Sequence, residues 1–250
     1  MTTTQPATQP ATQPADPPAV RTRGHAPIGH GAHSTVFHRV GSPWVIQVYK
    51  PDTPLTIKRI EQDHTYLRDA YATQPGLVGT QRLLAPSISP QPHLIVAVKK
   101  FVDVDPALCL LHAGPDDLTA QHRYQLTEFV AITRGLLTWP LAGEVPDIGP
   151  PRLPDIIDDQ FRNLAFDRGG HLRLLDTNEL ISTTHLYELT GTAAPLDLGR
   201  RPIHARFLTR LLLLETLAGR EPGELTVDPL YRGFLTEEQI ATLLDHRTGS

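Results

Sequence analysis

Three polar residues set around a short hairpin pattern constrain this chain more than any other feature. Asn163 follows Asp158 by five residues, and Asp176 follows Asn163 by thirteen. Between the last two lie Leu164-Ala165-Phe166, a turn at Asp167–Gly170, and Leu172-Arg173-Leu174-Leu175. That is the pattern of two short strands joined by a tight turn. A carboxylate and an amide oxygen held across such a hairpin offer Mg2+ hard ligands without excess charge. Asp158 is placed to orient a hydroxyl and accept its proton. Asp159 is its rival on ionisability alone, and Asp155 and Asp159 flank it as groups that tune or solvate the loop.

The chain before this stretch divides by composition. Thr4–Pro14 repeats Ala-Thr-Gln-Pro and runs into Asp16-Pro17-Pro18. It has no apolar side chains to offset the entropy of ordering it, so a disordered tail is expected over 1–22. Two β-rich runs follow, Ser34–Val40 and Trp44–Tyr49, with a Gly-Ser-Pro turn at Gly41–Pro43. Leu55–Ala72 carries apolar residues near helical spacing, and Gln81–Leu84 and His93–Val102 read as strands. Strands, a helix, then strands describe a small sheet-plus-helix unit. Beyond Pro106 helix dominates: Leu118–Leu141 after capping candidates Asp116 and Asp117, then Ile203–Ala218, then Glu237–His246 opened by a Thr236…Gln239 capping box. Five prolines between Pro140 and Pro154 mark an irregular connection.

Within the first β-rich run, Gly29-His30-Gly31-Ala32-His33-Ser34 places two glycines and a serine at G-x-G-x-x-S, with Val36 two residues on. Glycines let backbone amides approach phosphate oxygens, although a plain hairpin turn gives the same string. Lys50 ends the run Val45–Lys50, on the strand that would pair with the glycine hairpin. It is either an edge charge or an ammonium aimed beneath the glycine loop. In the second case it needs a buried partner, and Glu61 on the next helix is the first choice against its reading as an exposed helix acid.

In order and spacing these residues resemble the protein-kinase-like superfamily from about residue 27 to 180. The resemblance implies an α+β, bilobal protein-kinase-like fold. A small β-rich N-lobe with one helix would occupy about 23–102, and a mainly helical, abbreviated C-lobe about 103–250. It further implies ATP and Mg2+ as cofactors. Gly29, Gly31, Ser34, Val36, Val48, Lys50, Glu61, Lys99 and Phe101 would then contact the nucleotide, with Lys50 also catalytic. Asp158 would be the catalytic-loop aspartate, and Asn163 and Asp176 the metal ligands. The departures are specific. Ile156-Ile157 stand for His-Arg, Gln160 for a lysine, and Thr177-Asn178 for Phe-Gly. Ala193-Ala194-Pro195-Leu196 is a poor match to Ala-Pro-Glu, which puts a peptide substrate in doubt. Arg162 before Asn163 resembles tyrosine kinases.

Composition narrows the alternatives. The net charge of −4 argues against a nucleic-acid partner. The single cysteine, Cys109, excludes a disulfide framework and a Cys-rich metal site, and between Leu108 and Leu110 it reads as a small buried residue. The twelve histidines read as scattered and solvated. No membrane span or classical signal is visible, so a cytoplasmic location is expected, with a secreted effector as the variant. The expectation is therefore an ATP- and Mg2+-dependent phosphotransferase, an atypical protein kinase acting on a protein hydroxyl. Its alternatives are a nucleotide-binding pseudokinase scaffold and a small-molecule kinase.

Overall fold

The structure is a computed structural model, and it describes residues 24–84, 94–142, 152–158, 161–178, 180–182, 201–232 and 235–248. The tail at 1–22, Asp159, Gln160, most of the proline-rich connection and Ala193–Leu196 lie outside the described residues. The fold is α+β: an N-terminal antiparallel sheet with one helix, then a mostly helical C-terminal part.

The sheet consists of β1 (Ala26–His30), β2 (Ser34–His38), β3 (Trp44–Tyr49), β4 (Gln81–Leu84) and β5 (Val96–Lys100) in the order β1-β2-β3-β5-β4. β1 is an addition to the expected strands; its pairing with β2 slips between Pro27 and Gly29, bulging Ile28 outward. In β3, Val45, Gln47 and Tyr49 are buried and their neighbours are not, the period-2 alternation of a strand with one covered face. Helix α1 (Ile57–Ala70) supplies the cover. Thr56 caps it, its hydroxyl accepting from the Arg59 amide at 3.2 Å.

In the C-terminal part, α2 (Ala120–Ala142) and α3 (Arg201–Leu217) pack with α4 (Pro222–Val227), α5 (Pro229–Arg232) and α6 (Glu237–Thr248). The strand pairs β6 (Arg152–Leu153) with β9 (Ile181–Ser182), and β7 (Leu164–Phe166) with β8 (Leu172–Leu174), complete it. The capping box at α6 forms as expected, with Thr236 and Gln239 exchanging bonds of 2.8 and 3.1 Å. The expected caps of α2 do not. Asp116 and Asp117 form a separate 3-10 turn (Pro115–Asp117), and the Thr119 hydroxyl accepts from the His122 amide at the entry to α2 instead.

Two apolar clusters result. The larger one joins the C-terminal helices and hairpin to Tyr66, Leu67, Tyr71 and Leu77. The smaller is Tyr49, Ile60, Ile95 and Ala97 under the sheet. α1 is thus buried from both sides, with Ile60 toward the sheet and Tyr66 and Leu67 toward the helices. Among the described residues no helix is long and apolar enough to cross a membrane.

Candidate functional site

The β7–β8 hairpin pairs Leu164 with Leu174, so Asn163 and Leu175 meet at its open end, where the Leu175 amide donates to the Asn163 carbonyl at 2.8 Å. Asp176 is the next residue. The thirteen-residue interval is therefore the length of the hairpin. At its other end Gln125 of α2 fastens the turn. Its amide nitrogen donates to the Gly170 carbonyl at 2.8 Å, and its oxygen accepts from the Leu172 amide at 2.8 Å.

The five-residue interval also has a local cause. The Asp158 carboxylate accepts from the backbone of its own loop, Oδ1 from the Arg162 amide at 2.7 Å and Oδ2 from the Asn163 amide at 3.1 Å. Between them Phe161 adopts φ 53°, the left-handed region that a bulky side chain rarely enters. Its ring is buried, and the Arg210 guanidinium lies over it at 5.2 Å. Arg206 and Arg210 of α3 donate to the carbonyls of Ile157 and Asp158 at 2.8 and 3.3 Å. Packing from α3 thus holds a loop conformation that the chain alone disfavours.

Above the hairpin end lies the inward face of the sheet. Gln47, buried in β3, donates to the Ser34 hydroxyl at 2.7 Å and accepts from the Asn178 side-chain amide at 3.5 Å. Lys99, half-buried in β5, reaches the Thr177 hydroxyl at 3.5 Å. Burial pushes the Lys99 ammonium below the ordinary lysine value, and the nearby Asp176 carboxylate opposes that. Asp176 Oδ1 accepts from the Asn178 amide at 3.0 Å. Ser34, Lys99, Asp176 and the departures Thr177 and Asn178 are therefore brought together.

Several expected site residues are not. Lys50 sits beyond the end of β3, exposed, and its ammonium donates to the carbonyls of Gly31 and Ala32 at 3.0 and 2.7 Å. It clips the turn between β1 and β2 from outside. Glu61 is exposed on α1, so the Lys50–Glu61 pair is not formed. The reason is phase. With Gln47 and Tyr49 inward, Val48 and Lys50 cannot share their face. Val48 pairs with Thr35 on the outer side, whereas Val36 lies opposite Gln47 and shares the inward face. Phe101 stacks on His38, with ring centroids 3.9 Å apart. Cys109 is exposed rather than buried, because Leu108 and Leu110 on either side of it turn into the core.

The buried acid of α1 is Asp63, not Glu61. It pairs with Arg59 at 2.8 Å and with Arg152 of β6, whose guanidinium also lies 4.9 Å from the Tyr66 ring centroid. The Arg152 amide donates to the Tyr66 hydroxyl at 2.7 Å. A helical-wheel reading would have found it, since Asp63 shares its face with Ile60, Tyr66 and Leu67.

Asn163 and Asp176 offer one amide and one carboxylate oxygen, with Asp158 nearby in sequence, hard donors of the kind Mg2+ accepts once phosphate oxygens complete its shell. Among the described residues no group of three or more His, Cys, Asp or Glu is arranged to hold a metal unaided. Comparison with models of known protein families and with curated proteins gave no match.

Proposed function

We propose that this chain has a protein-kinase-like architecture and binds ATP with Mg2+ between its sheet and its hairpin, transferring phosphate to an acceptor hydroxyl. The observation that carries the reading is the junction of Asn163 and Asp176 at the open end of the hairpin, under a five-stranded sheet whose inward face ends in polar Ser34, Gln47 and Lys99. Asn163 and Asp176 would hold the metal, whose charge neutralises phosphate oxygens. Asp158, held by the Arg162 and Asn163 amides, would orient the acceptor. The glycines add support. A Cβ at Gly29 or Gly31 would meet nothing nearer than 3.9 and 3.7 Å, and neither has a positive φ, so the hairpin itself does not require glycine there. A ligand passing close beneath would.

The inward position of β3 beside this junction carries neutral Gln47, bonded to Ser34 and Asn178, and not a lysine, which favours a second reading, a nucleotide-binding scaffold without turnover. One pair of measurements separates them. Thermal shift of the purified chain with Mg-ATP reads binding, and labelled phosphate transfer to itself or to a lysate reads turnover. Both are expected for the enzyme, and Asp176→Ala should abolish transfer and weaken Mg2+-dependent binding. A shift without transfer selects the scaffold, and wild-type transfer by Asp176→Ala removes that residue from the site.

A further inference from the structure

The sheet's inward face can be read residue by residue from its registers. Gln47 lies opposite Val36 on one side and Ala97 on the other, and Lys99 lies opposite Val45 on one side and Gln81 on the other. Gln47 and Lys99 are therefore diagonal neighbours on one face, at the separation of about 7–8 Å that long side chains bridge. The inward positions of β2 to β5 are Ser34, Val36, His38, Val45, Gln47, Tyr49, Gln81, Leu83, Ala97 and Lys99. One lysine stands among them.

The polar atoms around that lysine are under-used. Its ammonium has three donors, and the bond it makes to another described residue, the Thr177 hydroxyl, is long at 3.5 Å. Both side-chain atoms of Gln81, directly across from it, are buried without a hydrogen-bond partner. So is Oδ1 of Asn178, a residue only 3 % exposed, beside Gln47. Buried polar atoms are almost always partnered in folded proteins, so unpartnered ones gathered at one spot mark a place a polar ligand fills. The Lys99 ammonium offers donors to an anion, and the Asp176 carboxylate beside it offers an oxygen to the cation such an anion carries.

We propose that Lys99, delivered by β5, is the cation that contacts the phosphates of the bound nucleotide, and that the side chain of Gln47 on β3 has no charge role. This rests on the nucleotide-binding reading above. It assigns the charge to a different strand from the one the sequence suggested, and it leaves Lys50 as a fastener of the β1–β2 turn.

The test measures Mg-ATP and Mg-ADP affinity by calorimetry for the wild type, Lys99→Met, Lys50→Met, Lys100→Met and the double variant Gln47→Lys/Lys99→Met. The melting temperature of each without ligand is recorded alongside. Lys99→Met is expected to lose tenfold or more in affinity while melting no lower than the wild type, because it removes a partly buried charge. Lys100→Met, the exposed next residue on the same strand, is expected to bind within threefold of wild type. Restoring a lysine at position 47 should recover part of the loss, since the ammonium returns to the same face. Undiminished affinity in Lys99→Met, or a loss carried by Lys50→Met instead, overturns the assignment while leaving the nucleotide site standing. A folded wild type that binds neither nucleotide overturns the nucleotide reading itself, and the assignment with it.

Discussion

Exchanging Asp158 for Asn alters a single atom type, yet it touches two separate roles. Each carboxylate oxygen accepts one backbone amide, from Arg162 and from Asn163. An asparagine can accept at one of its two positions, and its NH2 faces a donor at the other. A lost charge-assisted bond of this kind costs about 1–3 kcal/mol. Asp158→Asn should therefore lower stability by that amount in urea denaturation, while phosphate transfer falls by about 10²-fold or more. Full activity would take Asp158 out of the acceptor-orienting role, and unchanged stability would mean the loop does not depend on its bonds. His64 gives a second test at this scale. Its Nε2 lies 2.8 Å from the Gly79 carbonyl, and burial holds its pKa below the ordinary histidine value, with Lys99 and Arg68 adding repulsion. The unfolded chain thus takes up this proton more readily than the folded one. The stability His64 supports is full above about pH 6.5 and drains as pH falls from there toward its lowered value. Melting temperatures of wild type and His64→Gln between pH 7 and 5 should differ in slope, the variant's being shallower; parallel slopes would show that His64 does not contribute.

Helix α1 is the element on which both halves of the molecule bear, and its one deeply buried charge explains how. The Asp63 side chain is 1 % exposed and Arg152 is 22 % exposed, so their pair is screened far less than a surface one. It ties the helix to β6, immediately ahead of the loop that carries Asp158. Asp63→Asn leaves the half-buried Arg152 without its counter-charge. The expected loss is about 2 kcal/mol or more, read from denaturant midpoints, with Arg59→Ala costing less because Arg59 is 48 % exposed. Equal and small effects would mean the pair is a bystander. The same helix shows what a sequence can and cannot disclose. Its existence, like that of β4, the β7–β8 hairpin and the α6 cap, follows from signals within a few residues of each other: apolar spacing, a Thr cap, a Gly-Gly turn. The partner of its buried acid lies on a strand 89 residues away, and local pattern carries no such information. β3 is the intermediate case. The phase of Val45-Ile46-Gln47-Val48-Tyr49-Lys50 was readable as alternation, which puts Gln47 inward and Lys50 out. A match of Lys50 to a family's strand lysine rests on residue identity and runs against that phase.

At the scale of the whole chain, the sheet and the helical part do not own comparable cores. Under the sheet the buried apolar cluster is Tyr49, Ile60, Ile95 and Ala97. At about 1.5–3 kcal/mol for each large side chain buried, that set cannot offset the entropy of ordering some eighty residues. Tyr66, Leu67, Tyr71 and Leu77, from the same stretch of chain, bury instead in the cluster shared with α2, α3 and the hairpin. Polar ties follow the same route. The Tyr71 hydroxyl is 2.8 Å from that of Thr133, Gln74 donates to the Gln125 carbonyl at 2.6 Å, Arg173 donates to the Gly76 carbonyl, and the Leu174 amide donates to the Leu77 carbonyl at 2.8 Å. Much of what stabilises α1 and the segment after it therefore lies beyond residue 102. The composition break near Pro106 marks the change from strand to helix, but the shared core crosses it, so the two sides are not expected to fold alone. A fragment spanning residues 24–102 is expected to be unfolded in isolation, with a collapsed range of amide proton shifts and no cooperative denaturation, while the full chain unfolds in one transition that Mg-ATP moves upward. Disruption of the interface inside the full chain should act in the same direction. Tyr71→Ala removes a buried ring stacked 5.2 Å from Phe129 together with its bond to Thr133, and should cost about 3–5 kcal/mol. The loss should appear equally in probes placed on the sheet and on the helices. A well-dispersed fragment spectrum, or a Tyr71→Ala variant in which the helical part melts as in the wild type while the sheet is lost earlier, would show that the two parts fold independently.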